Sequence, residues 1–359
     1  MKDKILVIGG YGNVGKIICR DLGEKFPGKV IAAGRSFEKA KKFTQTTNGS
    51  VLPLKFDLFN TQDNKNLLED VSTVVMCLDQ TETKFIEECI KMGVNYIDIT
   101  ASYDFFSKIQ TLHTRAKKSD STIVMSVGLS PGLTNLMVKY SKSHLDILDN
   151  ADINLMLGLG DGHGKAAIEW MVDNMNTKFN IIEKGKTIQV KSLEDGKSTK
   201  FPKPFGDRYT YRFDFAEQHG LPETLNIKSV SNRICFDSRF VTHFLVLFKK
   251  IGLLKTLKLD FFRKGVINLL KKSNMGSDIF IAKVDALGKK NGVRRGFECF
   301  VRGKREGEIT GKVAAIVTEY IYRKKYPSGT YHIEEIFSLE EIIEQIDDYI
   351  DFHSNYTRI

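Results

Sequence analysis

The chain has 359 residues, of which 42% are hydrophobic, and its 54 lysines and arginines against 44 aspartates and glutamates give a net charge of +10. That length exceeds one average domain and supplies two hydrophobic cores, while the longest strongly apolar run, 240–248, is too short to cross a bilayer and is interrupted by Thr242 and His243. The charge is polar along the chain: eight basic residues face Asp260 alone in 249–272, and eight acidic residues fill 334–351 with no lysine or arginine among them. No nucleic-acid groove is expected from that distribution, and solvated amphipathic faces account for most such runs. The basic stretch also carries Phe248, Leu253, Leu254, Phe261, Phe262, Leu269 and Leu270, so peripheral membrane contact through 249–272 is the alternative. Cys19, Cys77, Cys89, Cys235 and Cys299 are odd in number and widely spaced, which suits buried thiols. The histidines lack metal-ligand spacing, so no metal is expected. With the N-terminus entering a strand at once, there is no room for a leader, and the expected location is cytoplasmic.

In chain order, 4–8 is an aliphatic strand, Gly9, Gly10, Tyr11, Gly12, Asn13, Val14 and Gly15 follow, and 16–22 opens a helix. A G-x-G-x-x-G between a strand and a helix is a dinucleotide-binding pattern: Gly10 for the tight turn, Gly12 for close approach to a pyrophosphate, Gly15 for helix packing. The free N–H groups of the helix start face the phosphates. Strands are expected at 29–33, 51–56, 72–78, 96–100 and 122–127, with helices between, for example 83–92 and 103–118. That alternation predicts an α/β fold with a doubly wound parallel sheet whose ligand crevice lies beyond the carboxyl ends of the strands.

The residues after each strand are therefore the candidate cofactor site. Gly34, Arg35 and Ser36 replace the acidic residue usual in NAD-selective sites; Arg35 can fork onto a 2′-phosphate and Ser36 add a hydroxyl, which favours NADP, with NAD the second choice. Asp57 can accept from an adenine amino group or cap a turn. Leu78, with Asp79 and Gln80, should run along the cofactor, and the turn 128–135, containing Gly128, Pro131 and Asn135, should bring bare backbone to the nicotinamide end. Asp98 either orients a substrate amine or caps its loop.

The middle region reads as a second α/β domain. Strands are expected at 152–157, 187–190, 209–215 and 225–230, helices at 165–179, 239–250 and 261–272, and a hairpin from 279–287 to 295–301. Helices at 314–325 and 334–349 close the chain. The loop 158–164 holds four glycines between a strand and a helix, a backbone-rich arrangement suited to an anion. Within it, Gly162 contacts substrate and His163 is the candidate proton donor, since histidine titrates near neutrality. Trp170 is either core or a substrate wall. Arg208, Arg233 and Arg239 are candidates to clamp a carboxylate, Arg208 and Arg239 foremost, and Asn135 completes the substrate set.

The Gly9–Gly15 loop, Ala33-Gly34-Arg35-Ser36, Tyr96-Ile97-Asp98 and the run Gly128-Leu129-Ser130-Pro131-Gly132-Leu133-Thr134-Asn135 together resemble the saccharopine dehydrogenase (saccharopine reductase) family, while 160–170 and 236–240 look closer to its short uncharacterised members than to the lysine-pathway enzyme. The resemblance is specific over residues 1–140. It implies an N-terminal Rossmann domain (1–130), an inserted mixed-sheet domain for substrate and dimerisation (131–312) and a C-terminal segment (313–359) whose helices return to the first domain. It further implies an oxidoreductase moving hydride to or from an imine, amine or carbonyl, with a small-molecule substrate and a homodimer as the expected assembly. A nucleotide-bound sensor, or a membrane-surface binding protein without turnover, stays open beside it. A short-chain dehydrogenase would need a Tyr-x-x-x-Lys pair, and Tyr320 with Lys324 falls too late in the chain to supply it.

Overall fold

The structure is a computed structural model that describes residues 2–58, 67–162, 164–272 and 276–357. It divides into two units, Met1–Leu133 with Gly307–Gln345 and Thr134–Glu306 with Ile346–Ile359. The strands are numbered along the chain.

In the first unit, β1 (Lys4–Ile8), β2 (Val30–Gly34), β3 (Val51–Lys55), β4 (Val71–Met76), β5 (Asn95–Asp98), β6 (Thr122–Met125) and β15 (Gly329–His332) form a seven-stranded sheet in the order β15-β6-β5-β4-β1-β2-β3. All its pairings are parallel. Ile5, Leu6, Val7 and Ile8 are all fully buried, the continuous apolar run that a parallel strand covered on both faces requires. The strand order reverses between β1 and β4, and this switch point opens the crevice that a dinucleotide occupies. The helix Asn13–Lys25 buries Ile18, Cys19 and Leu22. A Cβ at Gly311, in the helix Glu306–Arg323, would come within 2.7 Å of the Ile17 side chain, so these two helices touch almost backbone to side chain.

In the second unit, β7 (Ile147–Leu157), β10 (Lys197–Lys200), β11 (Asp207–Arg212), β12 (Ser229–Phe236), β13 (Ile279–Lys290), β14 (Val293–Lys304) and β16 (Ile350–Thr357) form a mixed sheet in the order β10-β11-β12-β7-β13-β14-β16. Its β7–β12 pair is parallel and the remaining pairs are antiparallel. A separate hairpin joins β8 (Lys178–Glu183) to β9 (Lys186–Lys191). One face of β7 presents Ile153 and Leu155 to the apolar core. The other presents Asn154, whose amide oxygen accepts from Thr199 and Thr210 and whose amide nitrogen donates to Asp285.

Several expected elements differ. The helix from Lys165 stops at Asn174, and Phe179 lies in β8, where its ring is buried. The strand expected at 225–230 begins at Ser229, because 217–224 is a helix despite Pro222. The helix expected over 334–349 is two short turns, Ile333–Ile336 and Leu339–Ile343, split at Phe337-Ser338, where the Ser338 side chain caps the second. The expected return of all of 313–359 as helices also differs: β16 pairs with β14 in the second sheet. Its side chains are mostly exposed, so it lacks the apolar alternation that marks a strand, and backbone pairing to an open edge decides it.

Candidate cofactor crevice and second-unit site

The glycine loop has the geometry that its spacing predicts. Gly9 takes φ +82°, a conformation that favours glycine, and its N–H donates to Ala33 O at 2.9 Å. A Cβ on Gly10 would lie 2.8 Å from Ala32 Cα, and one on Gly15 would run into the Gly9 carbonyl. Gly12 is different. A Cβ there meets only Gly9 O, at 3.1 Å, so the position borders open space. It is also the N-cap of the helix Asn13–Lys25, which has no side-chain cap and no acidic residue in its first turn. Such a helix start offers N–H groups and a positive dipole end to a pyrophosphate.

At the end of β2, Gly34 is required by Tyr11, since a Cβ would lie 2.5 Å from the Tyr11 ring. The Tyr11 hydroxyl accepts from Ser36 N at 3.0 Å, tying the glycine loop to the end of β2. Ser36 Oγ in turn caps the helix Phe37–Thr44 by accepting from Lys39 N. Arg35 is exposed and has no ion pair among the described residues, so its guanidinium remains available to a phosphate monoester. Asp57 is half-buried after β3, and Leu78 leans over the glycine loop, with its Cδ2 3.2 Å from a Cβ placed on Gly9.

The turn after β6 is shaped by residues that the sequence pattern does not single out. Gly128 faces Thr310, whose Cγ2 would be 3.1 Å from an added Cβ, and Thr310 Oγ1 accepts from Leu129 N at 3.2 Å. Pro131 follows a cis peptide bond, and Gly132 at φ +138° lets Leu133 N reach back to Gly128 O at 2.8 Å. Ser126 has a left-handed backbone, φ 57°, and its hydroxyl pairs with His332 Nδ1 at 2.7 Å. Thr310 and His332 lie about 180 and 200 residues downstream of their partners, too far for any local spacing rule to link them.

Asp98 ends β5 and is completely buried. One carboxylate oxygen accepts from Thr100 N at 2.8 Å and Thr100 Oγ1 at 2.5 Å, and the other from the Tyr96 hydroxyl at 3.1 Å. Gln80 Nε2 donates to that hydroxyl at 2.6 Å. Burial pushes the Asp98 carboxyl up to about 6, although the Thr100 and Tyr96 donors pull the other way. Of the two roles expected for Asp98, these bonds are those of the loop cap, and they extend it into a chain from β5 to Gln80.

In the second unit, Asp237 organises the 158–164 loop. It accepts from Leu159 N at 3.3 Å, Ser277 N at 2.6 Å and Ser277 Oγ at 2.9 Å. Gly158 and Gly160 serve this packing: a Cβ on Gly158 would run into Ser277 O, and one on Gly160 would lie 2.7 Å from Gly276 O. Gly162 has open space around it, and His163 lies outside the described residues. Trp170 is half-buried against Phe213 and Phe215, with ring centroids 5.7 and 5.1 Å away, which is the core alternative for this residue. Asn135 is buried in the helix Thr134–Ser143.

The arginines separate. Arg233 is buried and bonded to Asp195, which also holds Arg212 at 2.6 Å, so neither is available as a clamp. Arg208 and Arg239 instead converge on one carbonyl, Asp207 O, at 3.4 and 3.0 Å. Burial, then the neighbouring Arg239 charge, lowers the Arg208 pKa, and its Nε is buried without a partner. The two guanidiniums share this carbonyl and, among the described residues, form no ion pair, although the Asp237 charge acts on Arg208. Among the described residues no cluster of three or more histidine, cysteine, aspartate or glutamate side chains could hold a metal ion, and no helix is long and apolar enough to cross a membrane.

The strand order, the open Gly12 at an uncapped helix start and the available Arg35 define a dinucleotide-binding α/β protein with a second mixed-sheet unit. Residues 5–124 match the model of the saccharopine dehydrogenase NADP binding domain. Across the whole chain, the fold is similar to that of apo saccharopine dehydrogenase (L-Glu forming) from Saccharomyces cerevisiae, at TM-score 0.71 and 13% identity, covering 99% of this chain and 100% of that one. Weaker likenesses include a C. glutamicum DAP dehydrogenase (TM-score 0.48, 12% identity, 97% and 98% covered) and an engineered D-amino acid dehydrogenase bound to NADP+ (TM-score 0.46, 12% identity, 97% and 98% covered). The first unit thus carries an NADP-binding domain of the saccharopine dehydrogenase type, and the whole chain shares the fold of the yeast enzyme.

Proposed function

We propose that this protein is an NADP-dependent oxidoreductase that acts on a small substrate bearing a carboxylate, moving hydride to or from a carbon bonded to nitrogen or to a carbonyl oxygen. The observation that carries this reading is the first-unit crevice, where a Cβ on Gly12, at an uncapped helix start, meets no atom but Gly9 O and Arg35 at the β2 end has no ion pair among the described residues. Bound NADPH supplies the hydride. This chain's own residues would do the rest. Gly12 and the helix start hold the pyrophosphate, and Arg35 with Ser36 holds the 2′-phosphate. Arg208 and Arg239 hold the substrate carboxylate. His163 gives its proton to the substrate nitrogen or oxygen as that atom becomes an amine or a hydroxyl. Asp98 acts as a positioning residue through Tyr96 and Gln80, keeping the crevice wall in place.

Oxidation of NADPH is to be followed by the loss of its near-ultraviolet absorbance with amino acids paired against 2-oxo acids or aldehydes, the mixtures that generate imines. Turnover with at least one carboxylate-bearing mixture is expected. On that substrate His163→Ala should lower kcat by about a hundredfold with NADPH affinity within a few-fold of wild type. Arg239→Ala should raise KM and leave kcat nearly intact. Tight NADPH binding with no turnover on any mixture would leave a nucleotide-binding module in place of an enzyme.

A further inference from the structure

One feature of the second unit is not explained by hydride transfer. The helix Arg239–Lys250 packs Thr242 and Val246 inward, yet its outer face is apolar too: Phe240, Phe244, Leu247 and Ile251 recur at helical spacing and are all exposed. The following segment exposes further apolar side chains. Leu259 is 59% exposed, Phe261 82% and Phe262 49%, while Phe240 reaches 71%. A water-facing helix normally carries polar groups there, and large exposed apolar side chains with a charged fringe mark a binding surface. The patch is built on a fixed base. Leu254 and Ile267 are buried, and Arg263 makes a bidentate pair with Asp173 at 2.6 and 2.7 Å, so the exposed rings do not result from a loose segment.

The fringe identifies the occupant. Lys250, Lys255, Lys258 and Lys264 are exposed around the apolar residues, and the one acid of the segment, Asp260, is already 3.5 Å from Lys264. Lys249 is not part of this set, because its amine turns inward to Asn176 Oδ1 at 2.6 Å. Pairing with a second copy about a two-fold axis would place the same lysine fringe on both sides, with no acidic counterpart in the segment. A layer of anionic lipid headgroups over acyl chains matches both parts: aromatic and aliphatic side chains enter the headgroup–acyl boundary and the lysines meet negative charge.

We propose that the Arg239–Lys272 segment docks the protein peripherally on an anionic lipid surface, through Phe240, Phe244, Ile251 and Phe261 with Lys250, Lys255, Lys258 and Lys264 around them. The test is co-sedimentation of the full chain with phosphatidylcholine vesicles with and without phosphatidylserine. Binding is expected only with phosphatidylserine and should fall by about tenfold or more when salt is raised from roughly 0.05 to 0.5 M. The variant Phe240→Ser with Phe261→Ser should lose about tenfold in binding, and Lys255→Glu with Lys258→Glu a similar amount, both with NADPH affinity unchanged as the check on folding. Wild-type protein left in the supernatant with both vesicle types overturns the proposal. So does a concentration-dependent dimer that the serine variant abolishes while vesicle binding is unaltered, since the patch would then belong to a self-association interface.

Discussion

The two glycine-rich loops of this chain look alike in sequence and do different things. In Gly9–Gly15 the crowded glycines, Gly10 and Gly15, clear the way for neighbouring backbone, and the uncrowded one, Gly12, faces open space at an uncapped helix start. In 158–164 the glycines at 158 and 160 are crowded by Ser277 O and Gly276 O, and the loop backbone is held by Asp237. Glycine content therefore reports close approach without saying what approaches. A ligand site needs a glycine with little in front of it, and among the described glycines of the second loop Gly162 offers that.

Breaking the crowded positions should cost most. Gly15→Ala and Gly158→Ala should each destabilise the fold by roughly 3 kcal/mol, read from urea midpoints, because backbone cannot yield as a side-chain tip can. Only Gly15→Ala should also abolish NADPH binding in a fluorescence titration; equal loss from Gly158→Ala would erase the distinction between the loops.

Asp98 offers a comparable effect with a pH signature. Its folded carboxyl titrates near 6, above the ordinary 3.8, so keeping it ionised costs roughly 3 kcal/mol above that pH. The penalty is absent below the unfolded value, and it builds as pH rises through the folded one. Wild type should therefore lose stability relative to Asp98→Asn between about pH 4 and about pH 7, and a constant difference across that window would show that Asp98 is not titrating there.

Smaller effects sharpen the contrast at the open positions. Gly12→Ala should lower stability by only about 1 kcal/mol, less than Gly15→Ala, and weaken NADPH roughly thirtyfold. Arg35→Ala should weaken NADPH about tenfold and NADH hardly at all, and Arg35→Asp should shift preference towards NADH. Wild type that binds NADH more tightly than NADPH would remove Arg35 from the 2′-phosphate role. Gly162→Ala should change stability by less than about 0.5 kcal/mol, since its Cβ meets nothing.

Six of the seven strands of the first sheet are legible along the chain, because β1, β2, β4 and β6 are apolar runs and the glycine loop lies between a strand and a helix that are adjacent in sequence; β15, Gly-Thr-Tyr-His, carries no such run and is set by its pairing with β6. Arg35 and Ser36 were legible for the same reason, since they directly follow a strand. Less could be read in the second unit. Phe179 was assigned to a helix because an apolar residue at helical spacing looks the same whether it ends a helix or begins a strand. The closing strand was missed because its exposed side chains carry no pattern, and only the free edge of β14 recruits it.

Local order along the chain was thus enough for the dinucleotide fold, its glycine loop and the end of β2, because those features are made by neighbours in sequence. Tertiary structure alone decided which arginines are available. Arg233 is bonded to Asp195, while Arg208 and Arg239 converge on Asp207 O. It also decided that Thr310 and His332 brace the turn after β6, and that Phe240 and Phe261 face water. Burial and pairing depend on what the fold brings across from distant parts of the chain, and the spacing of residues carries no record of it.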